Sequence, residues 1–265
     1  MPQHRSRFRS LFSVQLNVVR ALILRDLRTR FFGHGAGYLI AIAWPLVHIA
    51  CLIGIYGLTG RVTPFGSSLV LYFAVGLAPV MSFIYASRWI MLSALSNKVL
   101  MSFPVVTLWD ILLARAILET LASCCMIIVL LCAIVALGIN VEPVSWTEAL
   151  KALSAVMLLG IGVGFLNGLI SLVLPMWVTG YALLVIVIYI TSGVLFLPDQ
   201  VPEPVRVILA WNPVLHAVEW MRGAYFGGYT SHTISKTYLI GFGTGSLFLA
   251  LILMRYGRRM LLNSR

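Results

Sequence analysis

Long apolar segments separated by short polar ones occupy most of the chain after residue 36. Six of them approach the ~20 apolar residues that a membrane-spanning helix needs, and they lie at about 38–58, 68–86, 108–137, 152–174, 181–197 and 238–254. The pattern predicts an all-α polytopic membrane protein with six transmembrane helices. The transmembrane domain then covers residues 37–265, and residues 1–36 form a separate arm.

The arm has a different pattern, because its apolar and polar positions fall on opposite sides of a helix. The apolar side of residues 8–23 carries Leu11, Phe12, Val14, Leu16, Val18, Val19, Leu22 and Ile23. Arginine, serine and asparagine occupy the other side. This pattern predicts an N-terminal amphipathic helix that lies in the membrane interface with its arginines near anionic headgroups. A disordered basic arm is the alternative.

The stretch from Ser192 to Tyr229 is apolar but too interrupted to cross a membrane. Prolines divide it into pieces of about half a span, at positions 198, 202, 204 and 213. Irregular backbone at membrane depth is tolerated where it is buried in protein or lines a wet cavity. We therefore predict two short re-entrant outer helices within residues 198–229, before the last span.

The second of these helices has a clear start and one polar stripe. Asn212 is a good N-cap and Pro213 a good first residue. His216, Glu219 and Arg222 follow at a spacing of three, so Glu219 and Arg222 can pair. Nearby aromatic residues fit an interface or a sugar-stacking surface, and an ordinary surface hairpin is the alternative.

Composition and charge support a membrane protein and give its orientation. The chain is 60% hydrophobic and 10% charged, with a net charge of +11. The inner segments hold seven, three and four of the Lys and Arg residues, and the outer segments hold five. By the positive-inside rule, both termini are cytoplasmic and the interrupted stretch lies outside. A nucleic-acid role is disfavoured, since the basic residues gather at the flanks of spans.

Several function classes lack the residues they require. The glycines of 241–246 come without the lysine of a nucleotide-binding loop, so they fit close helix packing better. No catalytic set and no metal-binding pattern is found, and the four cysteines are interpreted as free core residues. His48 is expected to be buried and hydrogen-bonded. Glu119 is placed near the inner surface beside Arg115, which disfavours a proton-coupled carrier.

The polar loop 88–107 between the second and third spans contains a short predicted helix, at about 94–103. Pro104 stops this helix. Asn97 and Lys98 are expected to face the cytoplasm, and apolar residues beside them are available for docking. Taken alone, the segment is only a cytoplasmic loop.

Together these features resemble the membrane subunit of type 2 ABC exporters, in particular the capsular-polysaccharide export permeases of Gram-negative bacteria. The resemblance covers nearly the whole chain. It rests on the Leu-Arg-Asp-Leu-Arg-Thr-Arg-Phe run of 24–31, Gly-Tyr-Leu at 37–39, Trp-Pro-Leu at 44–46, Ser-Gly-Val-Leu-Phe at 192–196, and Trp-Asn-Pro-Val-Leu-His-x-x-Glu-x-x-Arg at 211–222.

The resemblance implies partners as well as a function. Two copies would pair around a pore, and two separately encoded ATPase subunits would bind ATP and Mg, so this chain needs no cofactor and is no enzyme. Lipid-linked polysaccharide would move from the cytoplasm to the periplasm across the bacterial inner membrane. Periplasmic and outer-membrane export proteins would carry it onward.

The same resemblance suggests roles for four groups of residues. The ATPase-coupling group is Ser96, Asn97, Lys98, Val99, Leu100 and Met101. The inner-gate group is Arg25, Arg28, Arg30, Phe31 and Arg88. The outer-gate group is Trp211, Asn212, His216, Glu219 and Arg222. Aromatic residues suited to weak, repeated contact with sugars form the pore-lining group: Trp44, Tyr72, Phe83, Tyr85, Trp177, Tyr181 and Tyr189.

Three other functions stay open at this point. The first is a type 2 ABC permease for another cargo, such as O-antigen, teichoic acid or a small drug or lipid. The second is a proton-coupled carrier. The third, an intramembrane enzyme, is the weakest, since no catalytic constellation is present.

Overall fold

The computed structural model describes the backbone of residues 2–29, 36–60 and 63–263, and the side chains of 13–28, 40, 43–60 and 63–256. Within these ranges the chain is helical and contains no strand. The helices are α1 Pro2–Thr29, α2 Ala36–Leu58, α3 Leu69–Ser96, α4 Leu108–Ala136, α5 Trp146–Val173, α6 Trp177–Ile190, α7 Glu203–Leu209, α8 Pro213–Tyr225 and α9 Lys236–Asn263. Short 3-10 helices lie at Lys98–Ser102 and Pro198–Gln200.

Local sequence explains where several of these helices begin. α4 starts with a capping box, in which the Thr107 hydroxyl accepts from the Asp110 N–H and the Asp110 carboxylate accepts from the Thr107 N–H. Ser145 caps α5 in the same position. Asn212 caps α8 by accepting from the Val214 N–H at 3.0 Å, with Pro213 as the first helical residue. The predicted start of α8 is therefore confirmed.

Four helices in the described part of the chain are long and apolar enough to cross a membrane: α3, α4, α5 and α9. The described apolar part of α2, Ala43–Leu58, and the whole of α6 are shorter apolar helices. An all-helical membrane protein is thus confirmed.

α3 lies at the centre of the bundle and packs against α2, α4, α5, α6 and α8. Glycines on α5 allow it to lie close to α3. A Cβ atom on Gly164 would come within 2.9 Å of Ile90 Cβ, and one on Gly160 within 3.1 Å of Ala86 Cβ. Gly168 faces Leu112 and Ala94 in the same way. The glycines of α5 therefore act as predicted, by permitting close packing.

The glycines of α9 divide into two groups. Gly243 lies against the backbone of α5, where a Cβ would come within 3.0 Å of the Leu159 nitrogen. Gly241 and Gly245 face open space, with no atom within 4 Å of a built Cβ. The packing prediction for 241–246 therefore holds at Gly243 but not at these two positions.

Several element boundaries differ from the predicted ones, including the start of α5 at Trp146 and the end of α9 at Asn263. α1 is longer than predicted at both ends. α3 continues to Ser96, so the helix predicted at 94–103 is reduced to the 3-10 helix Lys98–Ser102, which we call the 3-10 segment. α6 ends at Ile190 rather than 197, because the chain turns at Gly193, whose φ of +77° favours glycine. The glycines at 33, 35 and 37 also predict a turn between the arm and the first span, and residues 30–35 lie outside the described residues.

Candidate functional sites

The first candidate site is the junction of α1, the 3-10 segment and the start of α4. Val19 and Leu22 of α1 are buried against Ile111 and Ala114 of α4. Leu100 and Met101 pack around the same cluster. The apolar side of α1 is thus partly covered by protein, whereas Val14 and Leu16 stay exposed. The predicted amphipathic helix is present, and α4 covers part of its apolar side.

Polar contacts join the same three elements. The Arg25 guanidinium donates to the Asn97 side chain and pairs with Asp26 at 2.6 Å. Asp26 lies 3.6 Å from Arg115 of α4, and Arg115 lies 2.8 Å from Glu119. Two carboxylates and two guanidinium groups therefore balance each other, which lowers the cost of burying them.

Further contacts hold this junction together. The Gln15 amide donates to Asp110, the residue whose carboxylate also caps α4. The Arg115 guanidinium lies 5.0 Å above the Trp89 ring of α3. α1 is therefore attached to α4 at two levels, through Gln15 and through Asp26.

These contacts correct one expectation for the coupling group. Asn97 was expected to face the cytoplasm, but it is only 7% exposed because Arg25 covers it. Ser96 and Lys98 are exposed, and Val99 is 78% exposed. Leu100 and Met101 are half-buried against α1 and α4. The outer surface of the 3-10 segment thus consists mainly of Lys98, Val99 and the residues that follow Met101.

The inner-gate group is only partly described. Arg28 and Arg88 are exposed, and Arg25 binds Asn97 and Asp26. Arg30 and Phe31 lie outside the described residues. Glu119 lies beside Arg115, as predicted.

The pore-lining group is dispersed. Tyr72, Phe83 and Tyr181 are buried inside the helix bundle and do not line an open surface. Tyr181 donates to the Ser87 hydroxyl at 2.6 Å, so its role here is packing. Tyr85, Trp177 and Tyr189 are half-buried, and Trp44 is 66% exposed. Of the group, Trp44 lies on α2, and Trp177, Tyr181 and Tyr189 lie on α6.

His48 also lies on α2 and is exposed, although burial was expected. The expected hydrogen bond is present, since His48 Nε2 lies 3.1 Å from the Tyr189 hydroxyl. The four cysteines are free, as expected, but each is exposed on a helix surface rather than in the core.

The second candidate site is the polar stripe of α8, which points into the protein. His216, Glu219 and Arg222 are all buried. Arg222 pairs with Glu219 at 3.0 Å, which confirms the predicted pair. Both side chains have no exposed surface, so this pair is part of the protein interior and not of a surface hairpin.

Arg222 reaches two other parts of the chain. Its Nη2 donates to the Tyr72 hydroxyl at 2.8 Å and to the Val194 carbonyl at 3.2 Å. Its Nη1 donates to the Phe196 carbonyl at 3.4 Å. The guanidinium carbon lies 4.4 Å from the centre of the Tyr72 ring. Arg222 therefore fixes the turn after α6 and the helix α8 to the central helix α3.

Glu219 accepts a second hydrogen bond, from the Tyr229 hydroxyl at 2.7 Å. Burial, with the Glu219 carboxylate nearby, raises the pKa of Tyr229 well above its usual value. Tyr229 thus stays protonated and donates to Glu219. The four side chains Tyr72, Arg222, Glu219 and Tyr229 form one buried hydrogen-bonded chain, which we call the outer polar cluster.

His216 and Asn212 anchor α8 at its start. His216 Nε2 donates to the Ala210 carbonyl at 2.8 Å, and Nδ1 accepts from the Ser235 N–H at 3.1 Å, before α9. Burial lowers the pKa of His216, which favours the neutral ring that these two bonds require. Asn212 donates to the Ile188 carbonyl at 2.8 Å. Trp211 is the exposed member of the outer-gate group.

The partners within the outer polar cluster were not predicted from the sequence. Tyr72 lies far from Arg222 in sequence, and the two carbonyl acceptors belong to an irregular turn. A fully buried arginine needs several hydrogen-bond acceptors, so a tyrosine on an apolar helix was a predictable partner. Tyr72 is instead one of the residues predicted to line the pore.

Several apolar helices long enough to cross a membrane, preceded by a basic N-terminal helix, define a polytopic membrane protein. The family model for the ABC-2 type transporter matches residues 17–226, from α1 to the end of α8. The chain therefore belongs to the ABC-2 type transporter family, and the resemblance found in the sequence is confirmed.

Named relatives match over most of their length. The chain is 32% identical to the polysialic acid transport protein KpsM of Escherichia coli over 97% of this chain and 99% of that protein. It is 25% identical to the capsule polysaccharide export inner-membrane protein CtrC of Neisseria meningitidis serogroup B, over 84% of each. It is 21% identical to the capsule polysaccharide export inner-membrane protein BexB of Haemophilus influenzae, over 94% of this chain and 94% of that protein.

Proposed function

We propose that this chain is the inner-membrane permease of an ATP-driven exporter that moves capsular polysaccharide out of the cytoplasm. The observation that carries the proposal is the match to KpsM over nearly the full length of both chains. The other relatives are named for capsule polysaccharide export as well. O-antigen, teichoic acid and small drugs or lipids are therefore disfavoured as cargo.

The proposal includes six membrane crossings, by α2, α3, α4, α5, α6 and α9. α6 has 14 residues and would extend about 21 Å at ~1.5 Å per residue, less than the ~30 Å hydrocarbon core. The turn at Gly193 and the helices α7 and α8 would complete this crossing from the outer side. The distribution of Lys and Arg supports cytoplasmic termini.

ATP hydrolysis would take place in two copies of a separate ATPase chain, which bind ATP and Mg. The exposed Lys98 and Val99 of the 3-10 segment would contact that chain. A second copy of the permease would complete the pore, and periplasmic and outer-membrane export proteins would receive the lipid-linked polymer. The Arg25–Asn97 contact supports a role for α1 in transmitting movement from the 3-10 segment.

Deletion of the gene in its own host tests the function directly. Surface capsule, measured with a polymer-specific antibody or by sugar analysis of intact cells, should disappear, and polymer should accumulate inside the cells. Inactivating the ATPase chain should give the same two results. A strain that keeps its surface capsule after deletion, and changes only its drug tolerance, would show that the cargo is a small molecule.

A further inference from the structure

Two polar side chains meet on the open side of α2 and α6. His48 Nε2 lies 3.1 Å from the Tyr189 hydroxyl, and the rings meet edge to face with centroids 5.6 Å apart. His48 lies about halfway along α2, roughly 18 Å from Ala36 at ~1.5 Å per residue. His48 is exposed, and Tyr189 is half-buried. His48 therefore lies near the middle of α2, and Tyr189 meets it from the last turn of α6.

An imidazole in contact with lipid tails at this depth is costly. Polar groups in spans face protein or a water-filled cavity for this reason. The bond to Tyr189 uses one ring nitrogen of His48, and a histidine ring has two. This side of α2 is thus unsuited to lipid.

The residues next to His48 distinguish this surface from an ordinary lipid-facing one. Trp44, His48, Cys51 and Ile55 recur at i, i+4, i+7 and i+11, so they form one stripe, and all four are exposed. By contrast, the exposed side of α4 carries Leu121, Ile128, Val129 and Val135, with cysteines between them. The exposed side of α4 is suited to contact with lipid tails, whereas the α2 stripe combines an indole ring, an imidazole and a neighbouring phenol.

We propose, building on the export function proposed above, that Trp44, His48 and Tyr189 form a saccharide-contacting step in a water-filled passage. The face of the Trp44 ring would cover the apolar side of a sugar ring. His48 and Tyr189 both donate and accept hydrogen bonds, so they can serve hydroxyl groups of either orientation. Each sugar would exchange hydrogen bonds to water for bonds to this pair as it passes.

Cys51 provides a native probe for the passage, because it lies on the same stripe, about one turn from His48. A variant with C124A, C125A and C132A keeps Cys51 as its single thiol. Intact cells are treated with a membrane-impermeant, positively charged methanethiosulfonate, which reacts with thiolates in water. We expect Cys51 to be modified. We also expect at least several-fold slower modification in cells that are exporting polymer than in cells that cannot make it.

The matched control keeps Cys132 instead, in a C51A, C124A, C125A variant. Cys132 is also exposed on the helix surface, but on the apolar side of α4. It should stay unmodified under the same conditions. If Cys51 and Cys132 are equally unreactive, the α2 stripe faces lipid or a dry contact, and the proposal is wrong. Efficient oxidative cross-linking of Cys51 between two copies, without labelling, would point to a dry contact between copies and would overturn it too.

Substitutions test the sugar contact itself. H48A and Y189F each remove a hydrogen-bonding group, so the export rate should fall about 2- to 10-fold for each, as expected for the loss of ~0.5–1.5 kcal/mol. H48Q keeps a donor and an acceptor, and it should restore a large part of the rate. W44A should also lower the rate. Controls are Y256F and W146A, at exposed aromatic residues of α9 and α5, which should leave export unchanged.

Failure of this proposal can be told apart from failure of the export function. If deletion of the gene leaves surface polysaccharide intact, the export function is wrong regardless of the Cys51 result. If deletion abolishes surface polysaccharide but H48A, Y189F and W44A export normally, only the saccharide-contacting step is wrong. Equal amounts of each variant in the membrane, checked by immunoblot, exclude loss of protein as the cause.

Discussion

The Arg222 guanidinium donates to the Tyr72 hydroxyl at 2.8 Å and also lies 4.4 Å from the centre of the same ring. Both side chains have no exposed surface. One tyrosine of the central helix thus supplies both a hydrogen-bond acceptor and an aromatic face to one arginine of α8. With Glu219 at 3.0 Å, the charge of Arg222 is balanced inside the protein.

Removing Arg222 alone should be strongly destabilising. R222M leaves the Glu219 carboxylate buried without its counter-ion, which costs about 3–5 kcal/mol in comparable sites. R222M combined with E219L removes both charges and should recover a large part of the loss. Y72F keeps the pair and removes one bond to a charged group, so it should cost less, about 1.5–3 kcal/mol. Thermal unfolding of the purified protein in detergent measures all three.

The control for this series is K151M, at the exposed end of the Glu148–Lys151 pair. A solvated pair of this kind contributes little to stability, so the melting temperature should hardly change. If R222M melts at the same temperature as K151M, the outer polar cluster does not stabilise the fold.

The helices were predictable because apolar length and capping residues are local properties. Asn212 with Pro213 predicted the start of α8, and the spacing of Glu219 and Arg222 predicted their ion pair; both are confirmed. The side of α8 that faces the core was not predictable. Charged residues are ordinarily expected at the surface, and the tertiary contacts with Tyr72, Tyr229 and the turn after α6 reverse that expectation.

The same limit applies on the opposite side of the protein. The sequence placed Asn97 correctly in the loop after α3, but its burial depends on Arg25 of a helix that ends about 70 residues earlier. Likewise, the exposure of His48 depends on which helices flank α2. Single-helix periodicity identifies an apolar span but carries no information on its neighbours when every side of the helix is apolar.

The Arg25–Asn97 contact should separate ATP hydrolysis from export when it is removed. N97A keeps the exposed surface of the 3-10 segment and its apolar packing but removes the hydrogen bond between Asn97 and Arg25 of α1. In a complex with the ATPase chain, we expect ATP hydrolysis to continue while the amount of surface polymer falls several-fold. R25A also removes the ion pair with Asp26, so its loss of export should be at least as large, and the double variant should be no worse than R25A alone, because both changes remove the Arg25–Asn97 bond.

R20A is the control for that experiment, since Arg20 is an exposed arginine of the same helix α1. It should leave both hydrolysis and export near the wild-type level. Fully additive losses in the N97A and R25A double variant would contradict a shared role, and equal losses of hydrolysis and export would indicate that N97A impairs docking of the ATPase.

Stability should depend on pH through His216. Burial lowers the pKa of His216 below its value of about 6.5 in an unfolded chain, although the Glu219 carboxylate opposes part of this shift. The unfolded chain therefore binds the proton more readily than the folded chain does. The contribution of His216 to the stability of the fold is complete above about pH 6.5 and is lost as the pH falls below that value. Protonation at Nδ1 also breaks the bond from the Ser235 N–H.

Melting temperatures measured between about pH 8 and 5.5 test this dependence. The melting temperature of the wild type should fall toward pH 5.5. The melting temperature of H216Q should be lower than that of the wild type at pH 8 but should fall less. H232Q, at an exposed histidine, should keep the wild-type profile. If H216Q and wild type show parallel profiles, His216 is not the group responsible.

Close packing of α5 on α3 should make Gly164 intolerant of a side chain. A Cβ at this position would lie 2.9 Å from Ile90 Cβ and 3.1 Å from Ser87 Cα, both on a central helix that cannot move freely. G164A should therefore destabilise the protein by about 1–3 kcal/mol, the usual cost of overpacking. G245A provides the matched comparison, since a Cβ there meets open space, and the higher helix propensity of alanine should leave stability unchanged or slightly raised. Thermal unfolding of both variants under the same conditions decides the matter: equal melting temperatures would show that the α3–α5 contact tolerates a methyl group, and that close approach is not what these glycines provide.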